Sequence, residues 1–120
     1  MLPLRRETEI QKTFHQGQRF YARWAVLHAR PRRDEETSPA LPRVTVVTTR
    51  DFPNSVLRNR AKRLVRETCR AALSEGSGPW DVVFVVRPGV LSTTFPQRRR
   101  GIVDLLRQAG VLAEKAATIT

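Results

Sequence analysis

The segment WDVVFVVR, Trp80 to Arg87, has to be a strand in the interior of a sheet. Its β-branched and aromatic residues favour extended backbone, and so apolar a run belongs at the centre rather than the edge. A central strand needs neighbours. RVTVVTTR, Arg43 to Arg50, is β-branched throughout and reads as one of them. FYARWAVLHAR, Phe20 to Arg30, alternates, with Trp24, Val26 and His28 on one face and Ala25, Leu27 and Ala29 on the other. It reads as one further strand. Helices fill the intervals. Glu7 to Gln16 places Ile10, Thr13 and Phe14 on one side and stops at Gly17. A long helix starts at an Asn54 or Ser55 cap and runs to about Ser74, where EGSGP ends it. A Thr93 or Thr94 cap opens the last helix, near Phe95 to Gln108, which Gly110 closes. The order αββαβα predicts an α/β (α+β) two-layer sandwich, a mixed sheet packed by helices. At 120 residues without a long linker, the chain fits a single domain over 1–120, with 113–120 as a flexible tail.

The long helix concentrates the charge. Leu57, Ala61, Leu64, Val65, Thr68 and Ala72 recur at helical spacing as an apolar stripe. Asn59, Arg63, Arg66 and Arg70 line the other side, with Arg58 and Lys62 alongside and Arg60 at the flank. Glu67 is the only acid between Asn54 and Arg70. Solvated faces usually alternate sign and gain from Glu–Lys pairs, which this one forgoes. The whole chain leans the same way, with 22 basic residues against 11 acidic and a formal charge of +11. Such a balance predicts a polyanionic partner, nucleic acid before membrane, and the planar fork of arginine suits phosphate oxygens and base edges. No apolar run reaches membrane-spanning length, and MLPLRRETEI has no signal-peptide core. Cys69 is the only cysteine, so an internal disulfide is excluded and a reducing compartment, the cytoplasm, is expected.

Protein-borne catalysis finds little support. His15 and His28 lack metal-ligand partners at useful spacing, one cysteine cannot build a zinc site, and clustered carboxylates for a protein-only nuclease are missing. Asp34 to Glu36 lie in a Pro-rich loop as a solvated run, with metal binding the minor alternative. GSGP is a turn, not a phosphate loop. Cys69 sits among apolar helix positions and reads as a packing residue. Arg98 to Arg100 fit either a second phosphate contact or a solvated helix face.

RNRAKRLVRE, Arg58 to Glu67, resembles the RNR signature of the bacterial ribonuclease P protein family. The similarity covers most of the chain. LRRETEIQKTFHQGQRFYARWAVLH resembles the family's opening, RVTVVTTRDFPNSVLRNR its strand, loop and helix start, and WDVVFVVRP its later strand with the Arg-Pro ending. Some positions depart from the family pattern. Thr45 stands for a usual Gly, Thr49-Arg50-Asp51 for Ser-Lys-Lys, Phe52-Pro53 for Ile-Gly, and Ile10 and His28 for aromatics.

The resemblance implies a ribosomal-protein-like fold with a left-handed βαβ crossover, and an accessory role in an endonuclease that frees mature tRNA 5′ ends. Partners would be the catalytic RNA and the 5′ leader of precursor tRNA, with no membrane and no protein partner required. Chemistry and Mg2+ would reside with the RNA, and no cofactor with the protein. The residues expected at the catalytic RNA are Arg58, Asn59, Arg60, Lys62, Arg63, Arg66 and Arg70. Those expected at the leader, in a cleft between the first helix and the sheet, are Ile10, Phe14, Trp24, Val26, His28, Thr49 and Arg50. The rings of Phe14 and Trp24 could stack on splayed bases, and core packing is an equal reading for Phe14. The alternative function is that of a basic ribosomal or other structural RNA-binding protein.

Overall fold

A computed structural model describes residues 1–32, 41–73 and 78–112. The acidic run Asp34 to Glu36, the expected helix end at Ser74 and the expected tail 113–120 lie outside the described residues. The elements are β1 (Leu2–Pro3), α1 (Glu7–Gln16), β2 (Gln18–Tyr21), β3 (Ala25–Pro31), β4 (Arg43–Thr48), α2 (Ser55–Ala72), β5 (Trp80–Val86), a 3-10 turn (Pro88–Ser92) and α3 (Phe95–Ala109). The sheet runs β1-β4-β5-β3-β2 and is mixed: β4 pairs parallel with β1 and β5, while β3 pairs antiparallel with β5 and β2. As its apolarity requires, β5 lies at the centre.

FYARWAVLHAR is not one strand but a hairpin. Tyr21 pairs with Val26 and Arg19 with His28, around a turn in which the Ala22 N–H donates to Ala25 O at 2.8 Å. Two-residue hairpin turns usually advertise themselves by Asn-Gly or Asp-Gly, because their backbone needs positive φ. Arg23 and Trp24 carry neither signal, and among the described residues no non-glycine has positive φ. Arg87 holds the turn from outside: its N–H donates to Trp24 O at 2.8 Å and its Nη1 to Arg23 O at 3.2 Å. The short edge strand β1 also escapes the sequence, since two residues show no periodicity.

Strand alternation separates the faces. Ala25, Leu27, Ala29, Val44, Val46, Val82, Phe84 and Val86 point into the main core, where α2 contributes Ala61, Val65, Cys69 and Ala72 and α3 contributes Ile102, Leu105 and Leu106. The other face carries Val26, His28, Arg30, Val47, Val83, Val85 and Asp81, and α1 crosses part of it. Helix ends follow local chemistry. The Asn54 side chain accepts from Leu57 N at 2.9 Å, Thr94 forms a capping box with Gln97, and Gly110 closes α3 at φ 88°. Gly17 has a different reason to be glycine. Any Cβ there would sit 2.5 Å from Thr13 O and 2.8 Å from Ala29 O, so its absence lets α1 seat directly on β3.

Candidate RNA-binding surfaces

The first surface is the outer side of α2. Its inner side buries Ala61, Val65, Thr68, Cys69 and Ala72, while Leu57 and Leu64, expected in the same stripe, are half-buried at its margins. Burial pushes the Cys69 thiol up to about 12, so the group is a packing element and not a nucleophile. Outward stand Asn59, Arg60, Arg63, Arg66 and Arg70, all exposed, with Arg58 and Lys62 half-buried beside them. Among the described residues none of these six cations forms an ion pair, and Glu67 makes none either. The ridge is thus a row of cations that the described fold leaves uncompensated. Arg66 and Arg70 also line a groove with Leu2, Arg5 and Thr45 at the β1 edge of the sheet, which extends the ridge onto the N-terminal strand.

The second surface is the sheet face that α1 leaves open. Phe14 meets His28 edge-on, with ring centroids 4.8 Å apart and an interplanar angle of 77°. Ile10 lies one turn earlier on α1, half-buried like Phe14. Val26, Val85 and Val47 are in register across three strands and form an apolar floor next to the His28 row. Thr49 follows β4, its N–H bonded to Val86 O at 3.0 Å and its hydroxyl donating to Asp51, and Arg50 beside it is exposed. Burial first, and the Arg19 charge second, hold the His28 pKa below its ordinary 6.5. His28 is therefore neutral at pH 7.

Six of the seven residues expected at the leader lie on α1, on this face or at its rim. Trp24 does not. It belongs to the turn of the hairpin rather than to an extended strand, so alternation does not carry it to the side of Val26 and His28. It is buried in the main core against α3, where a Cβ on Gly101 would lie 3.0 Å from its Cζ2. The same parity error hid Tyr21, and Arg19 lay outside the strand as read; both face the open side.

Sequence reading also missed what fastens α1. Asp81 is fully buried within β5 and accepts from Arg30 Nη2 at 3.0 Å and from Arg43 Nε and Nη2 at 2.8 and 3.0 Å, with Arg32 Nη1 at 3.7 Å. Arg43 reaches on to Glu9 of α1 at 3.0 Å. Hydrogen bonding to Asp81 raises the Arg43 pKa further, so this guanidinium stays charged. The available signal was an aspartate interrupting WDVVFVV, since a carboxylate inside a central strand has to be paired. Arg98 resolves in part the ambiguity of the Arg98 to Arg100 run. It is buried, donates to Thr93 O at 2.8 Å and lies 6.0 Å from the Phe95 ring centroid, whereas Arg99 and Arg100 are exposed.

The family model described as Ribonuclease P matches residues 2–110. The chain belongs to the ribonuclease P protein family. A ribonuclease P protein component of Chloroflexus aurantiacus is 34% identical over 110 residues, covering 91% of this chain and 78% of that protein. One of Clostridium perfringens is 28% identical over 113 residues, covering 92% and 90%. Solved ribonuclease P proteins of Staphylococcus aureus and Thermotoga maritima superpose with TM-scores of 0.76 and 0.74 at 20% and 22% identity. They cover 92% and 90% of this chain and 97% of each structure, and so share its fold. The ridge on α2 lies within the matched residues, and the open face lies across the sheet from it. No described helix is long and apolar enough to cross a membrane.

Proposed function

We propose that this chain is the protein subunit of a ribonuclease P holoenzyme that removes the 5′ leader from precursor tRNA in the cytoplasm, with the chemistry and its magnesium ions carried by the RNA subunit. The observation that carries the proposal is the row of unpaired cations on α2 in a chain of this family. Phosphates that a folded RNA brings close neutralise such a row, and the counterions released supply the affinity. Asn59 adds hydrogen bonding, and cations without ion-pair partners in the described fold reorganise at little cost. The leader lies on the open face. Phe14 offers a ring for stacking, His28 buttresses it edge-on, Val26 lies under the strand, and Ile10, Thr49 and Arg50 bound its path.

The described acids do not fit a protein-held metal. Asp81 and Glu9 are engaged by arginines, and no group of three or more His, Cys, Asp or Glu is placed to hold an ion among the described residues. On this reading the protein positions and neutralises, and the chemistry stays with the RNA. The test is reconstitution. Mixing the protein with the catalytic RNA at low magnesium should cleave precursor tRNA at its mature 5′ end, with neither component sufficient alone. Tight RNA binding without any gain in cleavage would instead support a basic structural RNA-binding protein.

A further inference from the structure

We infer that Tyr21 is a second base-stacking platform on the open face, next to that of Phe14, with Arg19 beside it to meet the phosphate between two bases. The inference rests on the leader-binding reading above and adds to it two residues of the edge strand β2. Tyr21 is 62% exposed, a large ring left in solvent, whereas the other two exposed large apolar residues among the described ones, Val56 and Phe95, belong to α2 and α3.

Its position follows from register. Arg19 stands opposite His28 and Tyr21 opposite Val26, and directly paired residues share a face. Both therefore project on the side where Phe14 meets His28. Arg19 is close enough for its charge to be felt at His28. Tyr21 is the diagonal neighbour of His28, at roughly 7–8 Å for such pairs. From Tyr21 the row continues through buried Val26 to the half-buried Val85 and Val47, an apolar floor on which a base edge can rest.

A ring on the sheet face beside one carried by the helix that crosses it suits single-stranded RNA held base by base, and the stacking tolerates any base because each has a π-face. A cation two residues from the ring on the same strand face suits the intervening phosphodiester. The ligand class is thus single-stranded RNA of unrestricted sequence, and the occupant is the nucleotide adjacent to the one stacked on Phe14.

The experiment uses the reconstituted holoenzyme and precursor tRNAs in which 2-aminopurine replaces one leader nucleotide at a time. Phe14→Ala and Tyr21→Ala should each relieve quenching at a different, neighbouring leader position. Tyr21→Ala should weaken affinity about five-fold or more for leaders that span both positions and leave a one-nucleotide leader unaffected. Tyr21→Phe and Tyr21→Trp, which keep a ring, should behave as wild type. Unchanged quenching and affinity in Tyr21→Ala, with Phe14→Ala still leader-dependent, overturns the inference and leaves the leader reading standing. Losses independent of leader length in both variants overturn the leader reading and the inference with it.

Discussion

Replacing Arg63, Arg66 and Arg70 together by Ala is the sharpest probe of the α2 ridge. The three lie at i, i+3 and i+7, so they share one strip of helix, and all are exposed without an ion-pair partner among the described residues. Removing them costs the fold almost nothing: surface changes of this kind stay within about 0.5 kcal/mol, and relief of like-charge repulsion works in the favourable direction. The cost to RNA binding is large and calculable. Each phosphate that the protein no longer neutralises lowers the slope of log K against log salt by about 0.9 on a duplex and about 0.7 on a single strand. Three such phosphates therefore account for roughly 2.1–2.7 of the slope. Extrapolated from 1 M, where the counterion contribution vanishes, this is a reduction of roughly 100- to 500-fold in affinity at about 0.1 M salt. The assay is equilibrium binding of the protein to the catalytic RNA across a salt series, with a thermal melt of each protein as control. Wild-type and variant lines should converge near 1 M and fan apart below it. Parallel lines of equal slope, with both proteins folded, would refute the assignment of this strip to phosphate.

Three further outcomes are expected. Asp81→Ala leaves the guanidinium groups of Arg30, Arg43 and the buried Arg32 without their shared carboxylate, which costs about 3 kcal/mol since Arg30 and Arg43 keep some solvent; a drop of roughly 10 °C in the calorimetric midpoint is expected, and a drop of less than about 3 °C would contradict it. Val65→Asp should unfold the domain, because Val65 is fully buried, whereas Leu64→Asp at the half-buried margin should cost about 1 kcal/mol; urea midpoints in the reverse order would place the packing face of α2 wrongly. Because the folded state holds His28 below 6.5, the unfolded chain binds the proton more readily. Stability from this group is therefore complete above pH 6.5 and falls as the pH drops toward the folded value; His28→Phe should flatten that part of the profile, and urea midpoints between about pH 5 and 8 that fall alike in both proteins would remove His28 as the cause.

The central strand, the long amphipathic helix and the caps could be read from residues because each has a local cause. The Val-rich run of β5, the one-sided charge of α2 and the side chains of Asn54 and Thr94 act within a few positions of themselves. What escaped depends on distant partners. The turn at Arg23–Trp24 is held by Arg87, which is remote in sequence, and has none of the usual turn residues. Mistaking a hairpin for a strand shifts parity, which sent Trp24 to the wrong face and hid Tyr21, while Arg19 fell before the strand as read. Asp81 likewise gains its meaning only when β3 and β4 bring arginines to it. The candidate leader surface suffered most, since it is assembled from α1, β2, β3, β4 and β5 together. The ridge, built on one helix, was readable almost residue by residue.

On the proposed reading the two faces of the sheet divide the work of binding by its physics. Helix α2 packs on one face and turns its charge outward, so what it binds responds steeply to salt. The opposite face offers rings and valines with fewer exposed cations, Arg19 and Arg50, so what it holds responds to the presence of bases and less steeply to salt. Asp51 reinforces this division, because it places an acid, hydrogen-bonded by the Thr49 hydroxyl, at the rim of the open face where a cation would add attraction for phosphate. Raising the salt should therefore weaken the free protein's affinity for the catalytic RNA more steeply than its preference for a long single-stranded leader over a short one. Because β4, β5 and β3 are shared by both surfaces, the holoenzyme would hold the leader on the far side of the sheet from the catalytic RNA.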